Sequence, residues 1–284
     1  MQVNKLLSQN KFAQLFLQTA MMLSRLLKRQ EPAQVCVVAV DGCIGGGKSL
    51  VLENVATLAK ALEDQFVVVR LEECVDDWMT LQMPDGEPLD LLTTFTRQAA
   101  ETTQLNPYAG PFQMVTIASL LKRHNELLQE AARLIRRRPS AKTVLVLVER
   151  SMVGNKVFAD MQHSAGNISD VQATAYNYFW TQVMATQKQM LALLGDSLGV
   201  PVRCHHVLLE CDAEECTSRV ARRPRSSATG EGGLSLDYMK ELVHRHDAVY
   251  RQLAASEPNG RVHRVDSTQA PLDVAQALIK AVLA

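Results

Sequence analysis

No stretch of this chain approaches the ~18 consecutive apolar residues that a bilayer-spanning helix requires, so no membrane partner is expected. Net charge is lacking as well. The 284 residues carry 30 Lys and Arg against 30 Asp and Glu, so no global field draws the molecule onto nucleic acid or lipid, and any basic site must be local. The six cysteines, Cys36, Cys43, Cys74, Cys204, Cys211 and Cys216, show no paired metal-ligand spacing; Cys211 and Cys216 are near neighbours, but no second pair accompanies them. They read as small buried hydrophobes in a reducing compartment. Internal repeats and long linkers are missing too. One α/β domain is therefore the economical organisation, and a 47% hydrophobic composition is ample for its core. Acids are absent from residues 1 to 30, where Lys5, Lys11, Arg25, Lys28 and Arg29 accompany apolar positions at loose helical spacing. Segment 1–34 is expected to be an amphipathic helical extension, with an organelle transit segment as the alternative. The first reading implies a cytoplasmic protein, the second a mitochondrial one.

What the chain does contain is concentrated at residues 35 to 49, Val-Cys-Val-Val-Ala-Val-Asp-Gly-Cys-Ile-Gly-Gly-Gly-Lys-Ser. This reads as a buried strand running into a phosphate-binding glycine loop, with Gly42, Gly47, Lys48 and Ser49 fitting GxxxxGK[ST] and Gly45 and Gly46 inside it. Glycines let successive backbone N–H groups face phosphate oxygens, and a helix starting at once adds its positive end. Lys48 is expected on the β and γ phosphates and Ser49 on Mg²⁺. The chain is expected to bind a nucleoside triphosphate.

Apolar runs rich in Val and Leu recur at 35–40, 66–71, 143–148, 205–210 and 261–265, separated by segments of helical periodicity. The helices are expected near 49–64, 89–103, 112–137, 169–195, 212–222, 235–254 and 271–282. That alternation predicts a five-stranded parallel sheet with helices on both faces, spanning residues 35–284. In such sheets ligands collect outside the carboxyl ends of the strands. There stand the glycine loop, then Glu72-Glu73-Cys74-Val75-Asp76-Asp77-Trp78, then Glu149-Arg150-Ser151. A triphosphate needs an acceptor, and its hydroxyl needs a carboxylate to take the proton. Glu73 is the candidate base; Arg150 is the candidate fork for phosphate oxygens; Glu149 is the candidate to hold Mg²⁺. The most loop-like segment, Pro224 to Gly233, follows an arginine cluster and reads as a lid over about residues 222–234.

In order and spacing, from about Val35 to Tyr250, these motifs resemble the deoxyribonucleoside kinases of the deoxycytidine, deoxyguanosine, mitochondrial thymidine and insect multisubstrate type. The matching segments are Glu73-Cys74-Val75-Asp76-Asp77-Trp78, Pro111-Phe112-Gln113, Glu149-Arg150-Ser151 and Arg219-Val220-Ala221-Arg222-Arg223-Pro224-Arg225. The resemblance implies a P-loop kinase fold and transfer of the γ-phosphoryl group of ATP to a deoxynucleoside 5′-hydroxyl. It implies Glu73 as base with Arg150 supporting it, Gln113 pairing with the base edge through its amide, and Trp78 and Phe158 as walls. It implies Arg219, Arg223 and Arg225 as lid residues on the phosphates, and a homodimer through helices like 112–137 and 169–195. Departures stand beside these matches. The proline after the catalytic acid is Cys74 here, the sugar-binding tyrosine falls near Thr93 or Phe95, and the lid glutamate falls on Glu231 only if an insertion near 227–230 is allowed. The run from Ser151 to Phe158 is one residue short. Where cytidine-preferring members carry an arginine and an aspartate, this chain has Leu120 and either Gly154 or Asn155, which suggests an apolar, roomier pocket for thymidine or a broad range. Two other readings keep the sheet: an inactive kinase-like structural subunit, and a nucleoside monophosphate kinase.

Overall fold

The computed structural model describes residues 34–60, 66–101, 106–137, 143–223, 231–257 and 260–283. Residues 1–33 of the extension expected at 1–34, and residues 224–230 of the expected lid, Arg225 among them, lie outside the described residues, while Gln34 belongs to the first strand. The first strand, β1 (Gln34–Gly42), is followed by α1 (Lys48–Lys60), β2 (Phe66–Leu71), α2 (Val75–Met79), the short strands β3 (Leu81–Gln82) and β4 (Pro88–Leu89), α3 (Leu91–Glu101) and α4 (Ala109–Arg137). Then come β5 (Thr143–Glu149), α5 (Met152–Ser164), α6 (Asp170–Leu198), β6 (Val202–Glu210), α7 (Ala213–Ala221), a 3₁₀ turn (Glu231–Gly233), α8 (Leu236–Ser256), β7 (Val262–Asp266) and α9 (Pro271–Leu283).

Five strands form one parallel sheet in the order β2-β5-β1-β6-β7. The reason is written in the strands' two-residue period. Along β1, Cys36, Val38 and Val40 point into a cluster with Leu52, Val55 and Leu58 of α1 and Leu278 and Ile279 of α9. The alternate residues Val35, Val37 and Ala39 join Leu127, Leu128 and Ala131 of α4 and Leu194 of α6. β5 splits the same way, Leu145 and Leu147 to one face and Val144, Val146 and Val148 to the other. Both faces are thus buried under helices, and a run without polar alternation is what such a strand demands. A third cluster holds α5, α7 and α8 together beside the glycine loop through Val157, Met161, Cys216, Met239 and Leu242.

The expected strands and helices are all present, with three additions. α2 is a single short helix, α5 opens with Met-Val-Gly-Asn, and the antiparallel pair β3-β4 turns at Gly86 with φ 88°. Strand β6 also starts three residues earlier than its apolar run, at Val202, because Arg203 and His205 pair with β1 despite their polarity. The ends are chemically specified: Ser169 and Gln172 form a reciprocal capping box on α6, and Gly199 closes that helix at φ 63°.

Three buried histidines make the fold sensitive to acid. Burial lowers the pKa of His124, His205 and His246 to about 4, against 6.5 for the free side chain. Between those two values the unfolded chain takes up protons that the native chain refuses. Their contribution is therefore complete above pH 6.5 and is lost as the pH falls toward 4, at about 2 kcal/mol for each histidine by pH 5. Thermal denaturation should show a melting temperature that drops steeply from pH 7.5 to pH 5. His124→Gln, which keeps a polar partner for Gln187, should flatten the dependence by about one proton; an unchanged slope would contradict the assignment.

Candidate active site

Adjacent placement of β2, β5 and β1 brings three strand ends together. β1 delivers the glycine loop. Gly42, Gly45 and Gly47 hold φ values of 140°, 85° and 87°, which only glycine adopts without strain. A Cβ on Gly42 would lie 2.8 Å from the Leu209 carbonyl oxygen, and one on Gly45 would lie 2.3 Å from that of Cys216. At Gly47 the nearest atom is Arg219 Nη1 at 3.6 Å, so that side of the loop opens on a cleft lined by Gly45, Gly46, Ser49, Arg219, Arg223 and Gln269. α1 begins at Lys48, whose Nζ donates to the carbonyls of Gly42 and Cys43 at 3.2 and 3.0 Å. Burial, and after it the charge of Arg150, hold this ammonium below its usual pKa.

β5 ends in Glu149, level with Val40 of β1. Ser49 Oγ donates to Glu149 Oε1 at 2.9 Å. Burial, with the neighbouring charge of Glu73, raises the Glu149 carboxyl above its usual range. The next residue, Arg150, is the single non-glycine among the described residues with a positive φ, 68°. That left-handed turn is anchored by its N–H, which donates to Val40 O at 3.0 Å, and it carries the guanidinium across to Glu73, just beyond β2. Arg150 Nε and Nη2 both donate to Glu73 Oε1, at 2.8 and 2.6 Å, with each side chain 11% exposed. The guanidinium also lies 4.3 Å from the centre of the Phe158 ring, within the range of a cation–π contact.

A buried carboxylate that sequence reasoning passed over fixes this turn. Asp41, 1% exposed, accepts from the N–H of Ser151 at 2.8 Å, from the Ser151 hydroxyl, and from the Tyr250 hydroxyl of α8 at 2.6 Å. Burial and the Asp41 charge raise the Tyr250 phenol well above its usual pKa, so it remains an O–H donor. Ser151 in turn caps α5 by accepting from Gly154 N at 2.9 Å. Gly154 packs so tightly on the carboxylate that a Cβ there would sit 2.0 Å from Asp41 Oδ1.

A second cavity lies on the other side of Glu73 and Arg150. Trp78, Gln113, Asn155, Phe158, Glu231 and Tyr238 all line it with them. Its apolar wall is an aromatic stack: Phe95 lies on Phe112 with centroids 4.7 Å apart, and Trp78 meets Phe112 edge to face at 5.6 Å. Trp78 is held in turn by its Nε1–H donating to Ser119 Oγ at 2.8 Å. Gln113 is buried, and its Oε1 has no hydrogen-bond partner among the described residues.

The structure therefore gathers Glu73, Trp78, Gln113, Arg150, Phe158 and Glu231 around one cavity, and Gly42, Gly45, Gly46, Gly47, Lys48, Ser49 and Glu149 beside it. The shortened run to Phe158 is absorbed within α5, which still presents its ring to the cavity. Of the two positions near the expected sugar contact, Phe95 lines the cavity, whereas Thr93 binds back to Asp90 of its own helix start at 2.6 Å. Asn155, not Gly154, faces the cavity. The pocket at that point is therefore polar, where an apolar wall had been expected. Arg219 and Arg223 stand at the cleft beside the loop; Arg219 is tied to Glu215 at 2.8 Å and to the Ser267 carbonyl at 3.0 Å. Tyr238, Gln269 and Asp41 are not singled out by the sequence, and Gly154 figures there only as the alternative to Asn155 in the base pocket. Asp41 had one usable signal, an acid in the last turn of an otherwise apolar strand.

The oxygens of Ser49 and Glu149 suit a hard divalent cation. Among the described residues no group of three or more His, Cys, Asp or Glu side chains is arranged to hold a metal. This donor pair fits an ion such as Mg²⁺ that takes its other ligands from phosphate and water, and such an ion would offset the penalty that burial places on the Glu149 charge.

Known proteins share this arrangement of elements. The sequence model for the deoxynucleoside kinase family matches residues 38–280. A thymidine kinase of Ictalurid herpesvirus 1 (strain Auburn) is 28% identical over 250 residues, covering 86% of this chain and 84% of the viral one. Two structures of a deoxyadenosine kinase from M. mycoides have TM-scores of 0.55 and 0.50 at 14% and 13% identity, over 86% of this chain and 96% and 98% of theirs. The first holds the products dCMP and a flexible dCDP, the second dATP. At these identities the structural likeness speaks for the fold: a parallel sheet around a phosphate-binding loop.

Packing at Asp41 yields a direct test. Gly154→Ala adds a methyl where no space exists, and displacing the carboxylate breaks a buried network, at a cost of about 3 kcal/mol or more. Thermal unfolding of the variant should show a melting temperature lower by roughly 10 °C, and a melt within a degree or two of the parent would rule out the tight contact.

Proposed function

Because this chain belongs to the deoxynucleoside kinase family, we propose that it transfers the γ-phosphoryl group of ATP to the 5′-hydroxyl of a deoxynucleoside, with thymidine or a broad range of bases as acceptor. One observation carries the reading. Ser49 and Glu149 are bonded to each other, Arg150 follows Glu149 directly, and Arg150 grips Glu73, so a loop built for phosphates and an acid suited to activate a hydroxyl meet at one edge.

In this mechanism the glycine loop and Lys48 hold the β and γ phosphates of the donor. The sugar enters the second cavity with its base against Trp78, Phe158 and the Gln113 amide. The Glu73 carboxylate takes the proton of the 5′-hydroxyl as that oxygen attacks the γ phosphorus, and ADP departs with the pair of electrons from the broken bond. Arg150 holds Glu73 in place through Nε and Nη2 and offers its remaining N–H groups to phosphate oxygens as they gain charge. Mg²⁺, held by Ser49 and Glu149, supplies charge neutralisation on the phosphates when bound. Arg219 at the end of α7, with Arg223 and Arg225 of the lid segment, acts on the phosphates, and Glu231 contacts the sugar. A thymidine kinase among the relatives supports thymidine as acceptor. Among the described residues lining the acceptor cavity Arg150 is the single cation, and it is already paired, which favours a nucleoside over a monophosphate whose two charges would require further cations. Within this reading the protein acts as a homodimer through α4 and α6. The exposed Val171, Tyr178 and Leu193 of α6 support that choice.

Glu73→Gln keeps the shape and hydrogen-bonding capacity of the base but removes its proton affinity. Turnover of thymidine with ATP should fall by roughly 10²- to 10⁴-fold, while ATP affinity measured by calorimetry stays within about threefold. Unchanged turnover refutes the assigned base. Thymidylate phosphorylated better than thymidine by the parent protein refutes the acceptor class.

A further inference from the structure

Asn155 is a buried amide on the wall of the acceptor cavity whose two ends are both committed. Its Oδ1 accepts from the Tyr176 hydroxyl of α6 at 2.6 Å. Its Nδ2 donates to Thr116 Oγ1 at 2.8 Å. The direction of these bonds is settled by the next link: the Thr116 hydroxyl gives its own hydrogen to the Gln113 carbonyl at 2.9 Å, so toward Asn155 it is an acceptor. Tyr176, whose pKa burial raises above its usual value, stays a donor. The amide is therefore locked with oxygen toward Tyr176 and nitrogen toward Thr116. One N–H of Nδ2 remains after the bond to Thr116.

We propose that Asn155, held by Tyr176, presents this remaining N–H to the base and so selects acceptors whose ring edge carries a carbonyl next to an N–H: thymine, uracil, guanine or hypoxanthine. The reasoning rests on the deoxynucleoside kinase reading above. It uses two amides of different freedom. Gln113 has a buried Oε1 without a partner among the described residues, and its amide can turn to offer either a donor or an acceptor to a base. Asn155 cannot turn. A carbonyl oxygen on the base accepts from the Asn155 N–H while the neighbouring ring N–H donates to Gln113 Oε1. Cytosine and adenine carry an amino group and a bare ring nitrogen at those two places. Gln113 adapts to that reversal; Asn155 faces the amino group donor to donor, and leaving buried polar groups unpaired is how a hydrogen-bonding pocket discriminates. Tyr176 acts here as a positioning residue, one step removed from the base.

The test compares kcat/KM and equilibrium binding for thymidine, deoxyuridine and deoxycytidine, and for deoxyguanosine and deoxyadenosine, on the full chain with ATP. In each ring class the carbonyl-bearing base should be favoured by roughly 10- to 100-fold. Tyr176→Phe removes the donor that holds Oδ1 and leaves the amide anchored by Thr116 alone, so the preference for thymidine over deoxycytidine should fall at least fivefold while the thymidine kcat changes little. Asn155→Asp, which offers only acceptors, should reverse the preference; if that variant does not melt cooperatively, Tyr176→Phe decides. Equal or better use of deoxycytidine and deoxyadenosine by the parent, or an unaltered ratio in Tyr176→Phe, overturns the inference and leaves the kinase reading intact. Failure of all five nucleosides both to bind and to react overturns the two together.

Discussion

The catalytic edge of this molecule depends on one buried carboxylate. Asp41 sits in the last turn of the central strand, one residue before the phosphate loop, and it binds groups from two other places in the chain: Ser151 after β5 and Tyr250 on α8. A charge removed from water in this way costs several kcal/mol unless donors surround it. Here an amide, a serine hydroxyl and a phenol do so. Because they come from distant segments, satisfying the charge also fixes the loop, the β5–α5 turn and α8 relative to one another. Gly154 belongs to the same arrangement, since its missing side chain is the space that the carboxylate occupies.

From that fixed point the strained conformation of Arg150 follows. Ser151 is held from one side and Glu149 is in sheet register with Val40 on the other, so the residue between them must make the turn within a single step. A non-glycine residue in the left-handed region costs about 1 kcal/mol or more. The bond from its N–H to Val40 O and the forked contact with Glu73 offset that cost. The strain aims a cation between two cavities, one beside Gly47 and Arg219 and the other beside Gln113 and Trp78. Sheet order gives the rest: with β5 lying between β2 and β1, Glu73, Glu149 and the loop are neighbours although 107 positions separate Gly42 from Glu149.

How much of this was legible in the sequence varies with the range of the interaction involved. Strands β1 and β5 announce themselves because a strand buried on both faces needs an unbroken apolar run, and their Val-rich sequences supply one; β7, Val-His-Arg-Val-Asp at the sheet edge, carries a weaker form of that signal. The glycine loop, Glu73 and Arg150 are legible because chemistry at the carboxyl ends of such strands is confined to a few positions. α5 was not legible: its start reads Met-Val-Gly-Asn, a poor helix opening, and it forms because Ser151 caps it and Phe158 and Met161 bury. Asp41 is legible only as an acid near the end of an apolar strand, because nothing local reveals partners 110 and 209 residues away. For the same reason the wall near Asn155 was expected to be apolar. Leu120 supports that reading, but the polar character comes from Thr116 and from Tyr176 on a different helix, and neither contact has a short-range signature.

The charges at the centre give a final reason for the layout. Lys48 and Arg150 face Glu73 and Glu149 within a largely buried space, and their environments act against the charged forms of two of them: burial lowers the Lys48 pKa and raises that of Glu149. Their mutual attraction offsets only part of that penalty, since Lys48 Nζ donates to the Gly42 and Cys43 carbonyls and Glu149 accepts from the Ser49 hydroxyl. Incoming phosphate oxygens would relieve the lysine, and a divalent cation would relieve the glutamate. Only the Arg150–Glu73 pair is internally matched. The structure thus completes one ion pair while leaving Lys48 and Glu149 undercompensated. Preorganised charge of this kind is more effective than side chains that must reorganise during reaction, and the turn at Arg150 and the buried Asp41 are what hold it in place.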